Sequence, residues 1–171
     1  MINLEELARF LVKAKKGTYA GDGKEITPER PGFKELEYIE GDWNYRDSYV
    51  GFFMAPGQEV VRFQGKPIWV MSYSGGMTSD FKDDINFAKE TFNFLKRALL
   101  QVSEEMPFRG PKIFSDGKDW HYQNYFGGDV TNFHGHEKIY TLPPVDEINR
   151  IVFAQDYIGG LVLPKILELD S

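Results

Sequence analysis

A chain of 171 residues with 42% hydrophobic and 27% charged side chains has the balance of a single folded domain, 1–171, and not that of a disordered segment. Its 20 basic and 26 acidic residues give a formal charge of -6, so there is no overall positive field to neutralise phosphates, and direct nucleic-acid binding is not expected. The absence of cysteine excludes disulfide scaffolds, zinc–thiolate sites and thiol nucleophiles together and is consistent with a cytoplasmic location. The segment Met1–Glu6 has no basic region followed by an apolar run, and no stretch approaches the ~18 apolar residues of a membrane helix, so neither secretion nor a membrane partner is expected.

Residues 3–16 read as a helix: Asn3 is the N-cap, and Leu4, Leu7, Leu11 and Ala14 recur on one face. Lys13, Lys15 and Lys16 suit the negative end of its dipole, and Gly17 stops it. Residues 17–34 hold four glycines and two prolines without periodicity and read as a long loop. Strands are expected at 36–38, 45–53, 59–63 and 67–73, with Gln64-Gly65 forming a tight hairpin. A second helix over 83–102 is marked by Phe81, Ile85, Ala88, Phe92, Leu95, Leu99 and Val102, spaced by threes and fours. Further strands follow at 113–114, 120–126, 137–141 and 149–157, punctuated by Gly117, Gly127-Gly128 and Pro143-Pro144. Helix then strands, twice over, gives an α+β fold with two helices packed on antiparallel sheet.

The order also suggests a pseudo-twofold internal repeat of 3–77 and 78–161. Tyr73-Ser74-Gly75-Gly76 and Tyr157-Ile158-Gly159-Gly160 each close a strand, and Gly41-Asp42 and Gly128-Asp129 each precede an aromatic residue. A groove between two such units is a common place for a ligand.

The aromatic load is high, with 14 Phe, 9 Tyr and 3 Trp, and rings of this size fill a core or line a pocket. They recur at period two in Trp43, Tyr45, Tyr49, in Trp69, Tyr73 and in Trp120, Tyr122, which puts them on one sheet face. His134-Gly135-His136-Glu137 sets two imidazoles at strand spacing beside a carboxylate, a weak pattern for a divalent metal. Arg109-Gly110-Pro111-Lys112 places cations beside a rigid turn, suited to a carboxylate or phosphate. There is no Walker loop and no Gly-x-Ser-x-Gly elbow, so nothing in the motifs argues for an enzyme.

Ala14-Lys15-Lys16-Gly17-Thr18-Tyr19-Ala20-Gly21, Arg30-Pro31-Gly32, Tyr38, Gly41-Asp42 and Glu105-Met106-Pro107-Phe108-Arg109-Gly110-Pro111 resemble segments of an uncharacterised prokaryotic family, domain of unknown function 5680. The resemblance spans roughly residues 7–160 and includes Tyr73–Gly75 and the Gly135-x-Glu137 step. It implies no catalytic or binding residues, because the family has no assigned activity. Some members carry the domain behind a DNA-binding helix-turn-helix, which implies a sensing or interaction module. This chain starts almost at the shared segment, so a regulator's role is not expected of it. His134 and His136 are not features of the family pattern, which counts against the metal.

The leading expectation is a non-catalytic small-molecule-binding or sensing domain whose cleft uses Tyr19, Arg46, Trp69, Tyr73, Arg109 and Tyr122, with no cofactor expected. The alternatives are a metal-dependent hydrolase using His134, His136 and Glu137, and a protein–protein interaction module with an acidic surface.

Overall fold

The computed structural model describes residues 3–141 and 150–162. The expected Pro143-Pro144 turn and Asn149 lie outside them. Helix α1, Leu4–Gly17, is capped by the Asn3 side chain, which accepts from the amides of Glu5 and Glu6. It is followed by β1 (Glu25–Ile26), β2 (Lys34–Glu40), β3 (Trp43–Tyr49), β4 (Gly57–Phe63) and β5 (Lys66–Met77). A 3₁₀ turn at Ser79–Phe81 leads into α2, Ile85–Leu99, whose N-cap Asp84 accepts from the amide of Phe87. The chain then forms β6 (Ile113–Ser115), β7 (Trp120–Asp129), β8 (Asn132–Thr141) and β9 (Arg150–Leu161).

Among the described residues, the nine strands form one antiparallel sheet in the order β1-β2-β3-β4-β5-β9-β8-β7-β6. Two runs of hairpins therefore meet at the β5–β9 pair, where Tyr73 lies opposite Tyr157. This is the expected α+β class, with two helices and an antiparallel sheet. The strand ends differ from expectation. Gly75-Gly76 and Gly159-Gly160 do not close strands but stay paired in the ladder, Gly76 with Ala154 and Gly160 with Val70. Glycine is required there because a β-carbon on Gly76 would collide with the backbone at Phe53, and one on Gly160 with the backbone at Thr131. The Gln64-Gly65 hairpin forms as expected, with both residues at positive φ, 50° and 77°.

Two irregularities shape the joined strands. The β4–β5 register shifts between Val61 and Arg62, which leaves Ile68 as the extra residue. The β8–β9 register shifts between Ile139 and Tyr140, which leaves Val152 as the extra residue. Each bulge lets neighbouring side chains bury together, Ile68 with Trp69 and Val152 with Phe153.

Both helices cover the same face of the sheet. Leu7, Phe10, Leu11 and Ala14 of α1 pack with Tyr45, Val61, Trp69, Met71 and Phe133. Phe94, Leu95, Ala98 and Leu99 of α2 pack with Tyr122, Ile139, Val152 and Phe153. The sequence placed Ile85 on the buried face of α2, but it is 54% exposed. Ala88, Leu95, Leu99 and Val102 are buried as expected, and Thr91, Phe94 and Ala98 join them on the face that packs. The turn after α1 ties the helices together. Ala20 joins the α2 cluster, and Asp22 bonds Lys96 at 2.6 Å. Among the described residues no helix is long and apolar enough to cross a membrane.

Phe94 is 1% exposed and packs on Phe114 and Trp120 at centroid distances of 5.5 and 5.6 Å. Phe94→Ala is expected to lose about 3–5 kcal/mol in denaturant unfolding. Tyr125→Ala, at a ring 60% exposed on the other face, is expected to stay within about 0.5 kcal/mol of the parent.

Candidate functional site

Between α1, α2 and the sheet lies a cavity of about 340 Å³. Its rim includes the exposed residues Lys34, Gly51, Phe52, Lys89 and Asn93. Its walls are aromatic. Tyr19 meets Tyr49 edge-on at 6.0 Å, and Phe92 meets Phe52 at 5.6 Å and Phe153 at 6.2 Å in the same manner. These rings face one another because Tyr45, Asp47 and Tyr49 alternate onto the helix-covered face of β3, while the turn after α1 brings in Tyr19.

The inner end is polar and buried. Lys15 of α1 donates to Glu59 of β4, and Arg109, in the loop after α2, forms a two-point pair with Glu137 of β8. Glu137 also accepts from the Tyr122 hydroxyl at 2.7 Å and from Gln155 at 2.9 Å. Asp47 of β3 accepts from the Tyr73 hydroxyl at 2.7 Å, and its cross-strand neighbour is Glu59. Lys15, Tyr45, Asp47, Glu59, Tyr73, Arg109 and Gln155 all line the cavity. The Arg109 loop is held in place by Phe108, which stacks on Phe133 at 4.4 Å, and by Asn124, which donates to the Gly110 carbonyl at 3.0 Å.

Burial and the adjacent Glu59 push the Asp47 carboxyl up to about 7, against the opposing pull of Tyr73, Lys15 and Arg109. Burial likewise lowers Lys15, although Glu59 works the other way. For Arg109 burial opposes the charge, but Glu137 outweighs it and the guanidinium is held more firmly protonated than usual. Burial raises the Tyr73 hydroxyl, and Asp47 adds to the effect.

Of the six binding residues expected from sequence, Tyr19, Tyr73 and Arg109 line this cavity, and the other three do not. Arg46 follows Tyr45 and so points from the opposite sheet face, where it pairs with Glu29, Glu35 and Glu37. Trp69 is fully buried in the α1 core, with its indole N–H bonded to the Val130 carbonyl at 3.0 Å. Tyr122 is buried behind Arg109, on Glu137. His134, His136 and Glu137 do not converge. Strand alternation sends Glu137 inward to Arg109, while His136 Nδ1 lies 2.6 Å from Asp156 on the other face. Among the described residues no group of three or more histidines and carboxylates is placed to hold a metal.

Sequence reading missed Lys15, Asp47 and Glu59, although each carried a signal. Asp47 shares the alternation of Tyr45 and Tyr49, Glu59 that of Val61, and Lys15 lies one helical repeat after Leu11 on the apolar face.

Residues 47–162 match the family described as Domain of unknown function (DUF5680). The chain belongs to that family. The span matched to DUF5680 opens at Asp47 and takes in Glu59, Tyr73, Arg109, Glu137 and Gln155, whereas Lys15, Tyr19 and Tyr45 precede it. No curated protein and no solved structure matches the chain.

Two outcomes follow for stability. The folded state holds a proton on Asp47 at pH values where the unfolded chain has released it. Wild-type stability is therefore expected to fall as pH rises from about 4 to about 7 through this group. Asp47→Asn should flatten that slope and be the more stable protein at pH 8, as read from urea unfolding across pH. Glu137→Gln strands the buried Arg109 charge and is expected to cost about 3–5 kcal/mol by the same method.

Proposed function

We propose that this DUF5680 protein is a non-catalytic binding or sensing domain that takes a small organic molecule into the cavity between α1 and α2. The observation that carries this reading is the cavity itself. Its volume of about 340 Å³ falls within the range of roughly 300–1,000 Å³ common to small-molecule sites, and it joins aromatic walls to a few convergent polar groups. Those groups are already bonded to one another, so little ordering would be needed on binding. The same proposal takes 3–77 and 78–161 as a duplicated unit, supported by the matching bulges at Ile68 and Val152 and the opposed Tyr73 and Tyr157.

Native mass spectrometry on protein purified gently from cell extract, joined to a thermal-shift screen of metabolites, tests it. Expected are mass above the 19.7 kDa chain or compounds that raise Tm. Their affinity should drop about tenfold in Tyr19→Ala and in Tyr49→Ala, as the loss of an aromatic wall implies. A bare chain that no compound stabilises, or binding indifferent to both substitutions, would remove this reading.

A further inference from the structure

The inner end of the cavity contains one carboxylate more than its own cations match. Lys15 is bonded to Glu59 and Arg109 to Glu137, which leaves Asp47 with the neutral Tyr73 hydroxyl as its described hydrogen-bond donor. The groups that face Asp47 come from every element around it: Glu59 on β4, Tyr73 on β5, Lys15 on α1, Arg109 in the loop after α2, Tyr45 and Tyr49 on its own strand and Tyr19 in the turn after α1. Both cations among them are already committed. A side chain that is 3% exposed and borders a cavity cannot keep an unmatched negative charge without cost, so it takes up either a proton or a cation.

A second copy of the same local arrangement shows that the fold does not require this carboxylate. The Tyr73 ring lies over Gly57, where a β-carbon would collide with it, and its hydroxyl reaches Asp47. The Tyr157 ring lies over Gly135 in the same way, and its hydroxyl reaches Asn124 at 2.7 Å. Asp47 lies opposite Glu59 in the ladder, and Asn124 lies opposite Glu137. An amide is thus enough to accept the tyrosine hydroxyl and support the strand. The position that carries the acid is the one that lines the cavity, and Asn124 is not among the lining residues.

We infer that the ligand of this cavity carries a protonated nitrogen, as in an arylalkylamine or amidine, and that Asp47 is its counter-ion. The inference rests on the binding function proposed above and names its ligand class. An anionic ligand is disfavoured because Lys15 and Arg109 would have to leave Glu59 and Glu137 to meet it, and because it would add to the repulsion between Asp47 and Glu59. The tyrosine and phenylalanine walls suit a cationic nitrogen, since ring faces attract cations. Of the rim cations, Lys34 is paired with Glu25 at 3.1 Å and Lys96 with Asp22 at 2.6 Å, so they do not confront the site as free charges. Lys89 is exposed to solvent, which screens it.

Isothermal titration of the intact chain with phenethylamine, phenethyl alcohol and 3-phenylpropionate, extended to larger matched amine, alcohol and acid sets, tests the inference. At pH 8 each amine is expected to bind at least tenfold more tightly than its alcohol. That preference should fade towards pH 5, as Asp47 takes up a proton while the amine stays charged. Asp47→Asn, whose amide has its counterpart at Asn124, should keep a wild-type Tm at pH 5 and lose the preference at all pH values. The pH profile of the wild type probes the same counter-ion without a substitution. If alcohols or acids bind as tightly as amines, or Asp47→Asn keeps the preference, the inference falls while the proposed binding function stands. If nothing in any set binds, the inference falls, and the binding function is decided by the mass spectrometry and metabolite screen above.

Discussion

The constraint on which the rest of this structure depends is electrical. Two helices and a sheet enclose the charged side chains of Lys15, Asp47, Glu59, Arg109 and Glu137, none of them more than 7% exposed. Charges withdrawn from water must find partners. That requirement fixes where α1 ends its apolar stripe, because Lys15 has to reach Glu59 from a helix otherwise packed by Leu7, Leu11 and Ala14. It also fixes the loop after α2, whose Arg109 has to come in over Tyr122 to meet Glu137, which both of them bond. The cavity lies between α1, α2 and the sheet, and Lys15, Asp47, Glu59 and Arg109 of this network form its inner end.

Much of the architecture was legible because it rests on local signals. Helix α1 announces itself through its Asn3 cap, both helices through apolar residues at helical spacing, and the Gln64-Gly65 turn through residues tolerant of positive φ. The glycine pairs misled, since Gly75-Gly76 and Gly159-Gly160 look like breaks. They are in fact places where another backbone segment approaches too closely for a side chain. Nothing within either segment reveals that neighbour.

The site was less legible for a related reason. Rings attract notice in a sequence, whereas a carboxylate among twenty-six acids does not. Arg46 and Asp47 adjoin in the chain yet belong to opposite faces of the sheet, and the covering helices decide that Asp47 is the one that looks inward. The same parity separates Glu137 from His136 and dissolves the apparent metal cluster. What a single strand could offer was the alternation of Tyr45, Asp47 and Tyr49, which already set the acid among the inward-facing rings.

The β5–β9 pair joins the two runs of hairpins, and this has a kinetic consequence. Within each run, strands that are neighbours in sequence pair with one another, so they can zip up locally. Tyr73 and Tyr157, by contrast, must find each other across all of α2 and three strands. Closing so long a loop carries an entropic cost that contacts within a hairpin escape. Each half-sheet can therefore gather beneath its own helix before the central seam forms. The ionic pairs Lys15–Glu59 and Arg109–Glu137 lie one within each half and are available early, whereas the cavity, whose walls draw on both, exists only once the last strand has docked.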